Sequence, residues 1–222
     1  MTERVSTGIS GLDKLVQGGF EKGSTILVTG NTGCGKTIFC CQYIWEGLKR
    51  GENCMFITFE ESMQDIINDA AAFGWDFKKY EKEGKFNGGF RTPFKKEDLF
   101  WFRDDIKNSK INRIVLDSTS VLSLFYKDPY DIRIKLFELI TSLKETGATS
   151  VLTTETTKPG LLSRFGVEEF VVDGVLLLQM ISAGETCFRT MQVRKMRRTE
   201  HGMSVYPYQI TKKGIVVQEG TI

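Results

Sequence analysis

The chain has 222 residues, of which 41% are hydrophobic and 26% charged, and its formal net charge is +2. This length and composition exclude a disordered chain and are typical of a globular protein with a sizeable core. The nearly balanced charge gives no general attraction to nucleic acid, so a DNA contact would need a local basic patch. We expect one domain over residues 1–222. We place it in the cytoplasm, because the sequence lacks an apolar leader and a membrane-length apolar run.

The first third of the chain alternates helices and strands. A short helix is predicted around residues 12–16, and an apolar strand follows from Ser24. After the glycine-rich stretch Gly30–Thr37, apolar residues recur at helical spacing up to Leu48, and Gly51 ends that helix. The apolar run that starts at Cys54 is typical of a strand inside a parallel sheet and ends at Glu60 and Glu61.

The alternation continues to residue 154. Ser62 is a predicted N-cap for a helix that runs to about Phe73, and Asn87-Gly88-Gly89 is predicted to be a turn. The remaining predicted elements are a helix over about 95–108, a strand over 113–117, an amphipathic helix from Ile132 to Leu143, and a strand over 150–154. This rhythm predicts a parallel sheet with helices on both faces.

The last quarter changes character. After a loop over 155–166, four strands are predicted without intervening helices, at 170–181, 187–196, 206–211 and 215–218. Such consecutive strands indicate an antiparallel extension at one edge of the sheet. The predicted fold class is therefore α/β, with a mainly parallel central sheet, helices on both faces and an antiparallel carboxyl-terminal edge.

Five cysteines occur along the chain, at positions 34, 40, 41, 54 and 187. Their number is odd and no two of them form a C-x-x-C pair, so the sequence indicates neither a disulfide framework nor a zinc site. We predict mostly buried free thiols in a reducing compartment.

The segment Gly30–Thr37, which we call the phosphate loop, has the pattern Gly-x4-Gly-Lys-Thr between a strand and a helix. Its glycines allow consecutive N–H groups to point at an anion at the helix N-terminus. Lys36 is predicted to reach the β- and γ-phosphates, and the Thr37 hydroxyl to bind Mg²⁺. The predicted nucleotide-binding residues here are Gly30, Asn31, Thr32, Gly33, Cys34, Gly35, Lys36, Thr37 and Ile38.

Carboxylates at strand ends are candidates for the metal and the catalytic base. Asp117 ends an apolar strand, where open α/β sheets bind ligands, and we predict that it holds Mg²⁺. If the strand before Glu60 and Glu61 neighbours the phosphate-loop strand, one of these glutamates faces the γ-phosphate and activates water. The other would lie near the metal, and Glu61 is our candidate for that position.

Two further groups have alternatives that the sequence leaves open. The hydroxyls of Thr153 and Thr154, with Glu155, would sense the γ-phosphate, or the threonines are simply β-branched residues of a strand. Residues 194–198 form the densest basic cluster. Strand alternation places Lys195 and Arg197 on one face, where they could bind a common anion, although a solvated strand end is the plainer interpretation.

These motifs together resemble a known family, the KaiC-type ATPases of the RecA-like superfamily, and in particular the first of the two domains of KaiC. The resemblance covers nearly the whole chain. Its markers are Ser6-Thr7-Gly8-Ile9-x-Gly11-Leu12-Asp13, the phosphate loop, Thr58-Phe-Glu-Glu61, Phe73-Gly-Trp-Asp76, Thr153-Thr-Glu155, Arg164-Phe-Gly-Val-Glu-Glu-Phe170, and Lys195-Met-Arg197 with Thr199 and His201.

The resemblance implies a RecA-like homo-oligomer, usually a hexameric ring, with ATP and Mg²⁺ at the subunit interfaces. It implies that Lys195 and Arg197 reach the γ-phosphate of the next subunit's ATP, with Met196, Thr199 and His201 contacting the same nucleotide. Glu60 and Glu61 match the family's catalytic pair, and Phe73 matches a residue at the adenine edge. The expected activity is ATP hydrolysis, in a regulatory or signalling role with an unidentified protein partner.

The sequence also departs from the family pattern. At the positions where the second KaiC domain phosphorylates itself, this chain has Glu169 and Phe170, so we expect no self-phosphorylation there. A second domain like that of KaiC is absent from the sequence, and the loop near residues 87–93 is shorter. A clock role does not follow from the resemblance.

Two alternative functions remain open at this stage. One is a DNA-recombination accessory ATPase related to RadA, which would contact single-stranded DNA through Lys158 and Arg164. The other is a slow, nucleotide-gated scaffold in which ATP mainly holds the ring together. Nucleic acid as a partner is possible but not favoured, and we expect no membrane contact.

Overall fold

We describe a computed structural model of the chain over residues 2–90, 106, 110–156, 160–183, 186–218 and 220. Most of the predicted helix at 95–108, and Lys158, lie outside the described residues. None of the described helices is both long enough and apolar enough to cross a bilayer.

The dominant element is a nine-stranded sheet, and a two-stranded ribbon stands beside it. The ribbon strands are β1 Arg4–Val5 and β2 Phe20–Glu21, and the sheet strands are β3 Thr25–Gly30, β4 Cys54–Thr58, β5 Phe86–Phe90, β6 Arg113–Asp117, β7 Thr149–Glu155, β8 Gly174–Ala183, β9 Thr186–Met196, β10 Val205–Thr211 and β11 Gly214–Val217. The order across the sheet is β11-β10-β9-β8-β3-β7-β6-β4-β5. Strands β8 to β5 pair in parallel, whereas β9, β10 and β11 are antiparallel. The predicted parallel centre with an antiparallel edge is confirmed.

The described helices are α1 Leu12–Leu15, α2 Lys36–Lys49, α3 Met63–Ala72, α4 Phe77–Lys82, α5 Pro129–Glu145 and α6 Glu168–Val171, with a 3₁₀ helix over Thr119–Leu124. The predicted cap of α3 is confirmed, because the Ser62 side chain accepts a hydrogen bond from the Asp65 N–H. Helix α2 packs on one face of the sheet in the larger core, and α5 packs on the other face around Leu27 and Leu152.

Two predicted boundaries were wrong. Residues 87–89 form part of β5, which pairs in parallel with β4, and not a turn. A Cβ at Gly88 would lie 2.7 Å from two Met63 side-chain atoms, so the glycine lets α3 pack against this strand. The predicted strand at 170–181 begins only at Gly174, since residues 168–171 form α6.

The strand order also corrects a premise of the sequence analysis. The phosphate-loop strand β3 lies between β7 and β8, and β4 is separated from it by β7 and β6. The glutamates that follow β4 are therefore not on the strand next to the phosphate loop. Four of the five cysteines are buried and Cys187 is exposed, and all are free thiols as predicted.

Candidate active site

The phosphate loop has the backbone geometry that its glycines predict. Gly33 and Gly35 have φ values of 81° and 93°, and a Cβ at Gly30 would lie 1.9 Å from the Leu178 carbonyl oxygen. Around Gly33 the nearest atom to such a Cβ is the Met180 sulfur, at 4.0 Å. The turn is therefore tight at Gly30 and open at Gly33, which fits a cradle for a phosphate group.

The N-terminus of α2 also fits an anion. Helix α2 begins at Lys36, and no side chain accepts a hydrogen bond at its N-cap, Gly35. Its first N–H groups thus lack the side-chain cap that most helices have. The Lys36 ammonium group donates to the carbonyl oxygens of Gly30, at 3.0 Å, and Asn31, at 3.2 Å, so the charge lies over the loop.

Two of the loop's predicted nucleotide-binding residues have their side chains in or against the core. Cys34 is buried, and its carbonyl oxygen accepts a hydrogen bond from the Tyr208 hydroxyl. Ile38 is half-buried against the larger core. Cys34 can therefore contact a nucleotide only through its backbone.

Thr37 and Asp117 come together as the sequence predicted. The Thr37 hydroxyl donates to Asp117 Oδ2 at 2.9 Å, and the Thr153 hydroxyl donates to the other carboxylate oxygen. Burial raises the pKa of Asp117, although hydrogen bonds from Thr153 and Thr37 and the charge of Lys36 oppose this. A nearby cation would favour the ionised form, so the pair fits Mg²⁺.

The oxygen donors at this site suit Mg²⁺ better than zinc, which usually binds three or four protein side chains. Within the described residues, no cluster of three or more His, Cys, Asp or Glu side chains is arranged to hold a metal. Magnesium commonly keeps several waters and uses one or two protein oxygens together with substrate phosphates. The oxygens of Thr37 and Asp117 meet that requirement.

Glu60 reaches the site through a neighbour that the sequence analysis missed. The Ser118 hydroxyl donates a hydrogen bond to Glu60 Oε1, and Ser118 directly follows Asp117. Strand β6, next to β4, thereby brings Ser118 and the adjacent Asp117 close to Glu60. Burial raises the pKa of Glu61, and the negative charges of Asp117, Asp69, Glu60 and Asp65 raise it further.

Thr153 and Thr154, near the carboxyl end of β7, form hydrogen bonds with groups of the protein itself. Thr153 and Thr154 are both buried, and the Thr154 hydroxyl donates to Glu168 Oε1 at 3.1 Å. Glu168 is buried and also accepts from the Ser163 hydroxyl. These threonines therefore hold the site together, and their predicted role as direct γ-phosphate sensors does not match this geometry.

Glu155 lies beside the phosphate loop and pairs with Arg164. Arg164 NH1 is 2.9 Å from Glu155 Oε2, and Thr32 Oγ1 is 3.5 Å from the other carboxylate oxygen. The ion pair neutralises Arg164, which the DNA alternative had assigned to phosphate contact. With Lys158 outside the described residues, nothing in this part of the structure favours the DNA alternative.

Lys195 and Arg197 lie far from the phosphate loop of their own chain. The Lys195 ammonium group donates to the carbonyl oxygens of Glu169, at 2.8 Å, and Val172, at 2.7 Å. Arg197 NH1 lies 3.5 Å from Asp173 Oδ1. Both cations therefore lie on the side of the sheet that carries α5 and α6. Strand β9 ends at Met196, so strand alternation by itself does not fix the position of Arg197.

Sheet register gives the separation between the two basic residues and the phosphate loop. Lys195 pairs with Val175 on β8, whereas Gly30 pairs with Leu178 on the same strand. Three residues of strand span about 10 Å. Lys195 also points to the opposite face of the sheet from α2, so it does not share an anion with Lys36 of the same chain.

The other residues predicted beside Lys195 have mixed positions. Met196 is buried in the larger core, so only its backbone is accessible to a ligand. The Thr199 hydroxyl accepts from Arg4 NH1 at 2.7 Å and donates to the Arg197 carbonyl oxygen. His201 Nδ1 lies 3.2 Å from the Gly202 carbonyl oxygen. The ribbon strand β1 thus supports the turn after β9.

Phe73 lies at the side of α2. Its ring stacks on Trp75, with centroids 4.7 Å apart, and it lines a pocket of about 260 Å³ with Gln42, Trp45 and Lys213. Helix α2 begins at the phosphate loop and runs past this pocket. An adenine contact at Phe73 stays a prediction.

Sequence reasoning missed three residues that organise the site. Ser118 holds Glu60, Asp173 holds Arg197, and Arg4 holds Thr199. Only Ser118 had a signal, because it directly follows the strand-end Asp117. Asp173 and Arg4 are distant in sequence from the residues that they contact.

Comparisons with known proteins agree with this geometry. The sequence model of the family described as "ATPase: KaiC" matches residues 5–222. The circadian clock protein KaiC3 of Synechocystis is 37% identical over 97% of this chain, and the KaiC oscillator protein of Synechococcus elongatus is 36% identical over 96%. This chain spans only 45% and 43% of those two proteins, respectively.

The crystal structure of a protein of similar length shows the same fold. A KaiC-like protein from the hyperthermophilic archaeon Pyrococcus horikoshii OT3 superposes with a TM-score of 0.89 at 42% identity, over 98% of this chain and 100% of that one. The resemblance in sequence and the expected RecA-like fold are both confirmed. The chain belongs to the KaiC family of ATPases.

Proposed function

We propose that this protein hydrolyses ATP with Mg²⁺, in a ring whose active sites each combine two subunits. In one subunit, the phosphate loop with Lys36 binds the phosphates, and Thr37 and Asp117 hold the metal. Glu60 is the general base. The next subunit supplies Lys195 and Arg197.

The residues of the first subunit support this assignment through their geometry. Glu60 Oε accepts the proton of the attacking water, and Ser118 keeps that carboxylate near Asp117. Bound Mg²⁺ would neutralise phosphate charge. Glu61, whose pKa is raised by burial and by four neighbouring carboxylates, lies close enough to this cluster to respond to a cation.

One observation carries the proposal of shared sites. The phosphate loop, Thr37 and Asp117 lie together, whereas Lys195 lies three residues away along β8 and bonds, like Arg197, on the opposite face of the sheet. Both basic side chains are thus directed away from the phosphate loop of their own chain. A neighbouring copy can bring such a pair to its nucleotide as an arginine finger.

The test measures phosphate release at increasing protein concentration. We expect turnover per chain to rise with assembly, and Lys36→Ala and Arg197→Ala each to be inactive alone. Mixing the two variants should restore activity, because about one interface in four of a random mixed ring joins an intact Lys36 to an intact Arg197. Arg198→Ala is the matched control, since Arg198 pairs with Glu21 instead.

Equal turnover in wild type and both variants would contradict the ATPase proposal. If the mixture assembles but recovers no activity, the shared site is contradicted, whereas the proposal of ATP hydrolysis stands. Sedimentation with ATP, ADP and no nucleotide then gives the ring size, which we predict to be six subunits. A regulatory or signalling role stays a prediction.

A further inference from the structure

Lys195 is held by the backbone of a very short helix. Its ammonium group donates to the carbonyl oxygens of Glu169, at 2.8 Å, and Val172, at 2.7 Å. Glu169 lies in α6, which has only four residues, and Val172 is the C-cap of that helix. A helix of this length is not stable by itself, so tertiary contacts fix its position. The position of α6 therefore decides where the charge of Lys195 lies.

The buried carboxylate of Glu168 holds the start of α6. One of its oxygens accepts a hydrogen bond from the Thr154 hydroxyl at 3.1 Å, and the other accepts from the Ser163 hydroxyl at 2.7 Å. The backbone N–H groups of Phe165 and Val167 also donate to it, each at 3.2 Å. These donors restrict the carboxylate to one place, because a buried charge that loses its hydrogen bonds is costly.

Glu168 thereby ties α6 to the centre of the sheet. Its partner Thr154 lies in β7 and pairs with Thr29 in β3, the strand that leads into the phosphate loop. The Thr29 hydroxyl donates to the carbonyl oxygen of Leu162, in the chain segment just before α6. Strands β3 and β7 therefore anchor both Glu168 and the segment that precedes it.

The choice of a carboxylate at this position favours positioning over stability. An apolar side chain and apolar partners of the same shape can stabilise a fold about as well as a buried hydrogen-bonded group. A fully bonded polar group, in contrast, specifies one arrangement of the elements that it joins. Glu168 joins β7, the segment before α6 and α6 itself.

We propose that Glu168 is a positioning residue that fixes the ammonium group of Lys195 through α6. The inference rests on the proposed function, in which Lys195 acts at the nucleotide of the next subunit, and it assigns the residue that prepares that charge. A free lysine side chain loses rotational freedom when it is ordered for the reaction, whereas one bonded to two fixed carbonyl oxygens is ordered beforehand. Glu168 is buried and acts only through Lys195.

Crystal structures of variants test this link independently of ATP hydrolysis. We expect Glu168→Ala to lose at least one of the two hydrogen bonds from Lys195 Nζ, because α6 loses its anchor. Glu169→Ala is the matched control, since it removes a neighbouring carboxylate that accepts from Ser163 but keeps the carbonyl oxygen that holds Lys195. If both bonds of Lys195 survive in Glu168→Ala, the inference is overturned.

Mixed rings show on which subunit Glu168 acts. Lys36→Ala chains supply Lys195 and Arg197 to a neighbour, whereas Arg197→Ala chains supply the phosphate loop. We expect turnover of the mixture to fall about tenfold when Glu168→Ala is added to the Lys36→Ala chain, because a misplaced reacting group lowers the rate. The same change in the Arg197→Ala chain should have little effect. A loss of turnover only in that second arrangement would overturn the inference, because Glu168 would then support the site of its own chain.

Glu168→Gln is a second variant that keeps the volume of the side chain. Its amide nitrogen cannot accept a hydrogen bond, so one of the donors around it loses its partner. We expect the same pattern in mixed rings with a smaller loss of turnover, and unchanged equilibrium binding of ATP. In chains that also carry Lys195→Ala, Glu168→Gln should lower turnover no further. Full additivity would contradict an effect through Lys195.

The outcomes separate this inference from the proposed function. If wild type does not hydrolyse ATP, the ATPase proposal fails, and the crystal structures decide whether Glu168 holds Lys195. If wild type turns over ATP but Glu168→Ala changes neither the contacts of Lys195 nor turnover, the positioning role fails and the ATPase proposal stands.

Discussion

The two halves of the proposed active site are built in different ways. At the phosphate loop, Thr37 and Thr153 both donate hydrogen bonds to Asp117, and Ser118, the residue that follows Asp117, donates to Glu60. At the basic end of β9, Lys195 bonds to two backbone carbonyl oxygens, and Arg197 makes a long contact to Asp173. The first half is preorganised, whereas the second holds its charges in contacts that a phosphate could replace.

This difference indicates which half of the proposed site depends on assembly. A preorganised network keeps its geometry in the isolated chain, so nucleotide binding should survive when subunits separate. Under the proposed function, the basic pair acts only where another copy presents a nucleotide. Four predictions, in order of decreasing effect, test this contrast.

The largest effect is expected for Arg197→Ala. Turnover should fall by about 10³- to 10⁵-fold, because an arginine finger stabilises transition-state charge, while ATP affinity changes little. Phosphate release and equilibrium nucleotide binding measure the two quantities. Arg197→Lys should recover little, since lysine lacks the planar fork. A parallel loss of binding would place Arg197 in the preorganised half.

Glu60→Gln is expected to lower turnover by about 10²- to 10⁴-fold, because the amide cannot accept the proton from water. Ser118→Ala should lower it less, by about 10- to 10²-fold, through misplacement of Glu60. Single-turnover hydrolysis measures both. In the double variant, Ser118→Ala should add almost nothing, and full additivity would show that Ser118 does not act through Glu60.

Asp173→Asn is expected to lower the free energy of unfolding by about 2 kcal/mol at neutral pH, since hydrogen bonds to a charged group are lost. Burial alone would raise the pKa of Asp173, but hydrogen bonds from Lys144 and the Thr25 N–H outweigh it and lower the pKa below its ordinary 3.8. The ionised form therefore stabilises the fold above that value. Denaturant titrations should show the wild-type advantage shrinking as pH falls through the lowered pKa.

Glu21→Gln is the control for Asp173→Asn, because it releases the adjacent Arg198 at the surface. We expect it to change stability much less, since Arg198 is 58% exposed and an ion pair with a solvated partner contributes little. An advantage of wild type over Asp173→Asn that grows toward acid pH would contradict the assigned charge state.

The smallest effect is expected for Thr153→Val, which removes a buried hydroxyl bonded to Asp117 and should cost about 1 kcal/mol. Thr25→Val is a matched control. In the described part of the chain, the buried Thr25 hydroxyl has no hydrogen-bond partner, so the change should be neutral or stabilising. Denaturant titrations compare the free energies of unfolding of the two variants. An equal loss of stability in both would mean that the Asp117 network is not rigid.

Local patterns explain most of what the sequence predicted correctly. Helix caps, apolar periodicity and glycine spacing act within a few residues, so α3, α5 and the phosphate loop were recoverable. The errors at Gly88 and Phe170 have a different origin. A glycine in an edge strand has the same local signal as a turn, and only its contact with Met63 distinguishes them.

The site divides in the same way. Local sequence was enough to predict the glycine-rich loop and the strand-end position of Asp117, because both follow from residues adjacent in the chain. Only the three-dimensional structure shows that Ser118 links Glu60 to this edge, that Thr153 and Thr154 bond inward, and that Arg197 lies beside an exposed groove. Those facts depend on strand order and on contacts between distant segments, which no local pattern encodes.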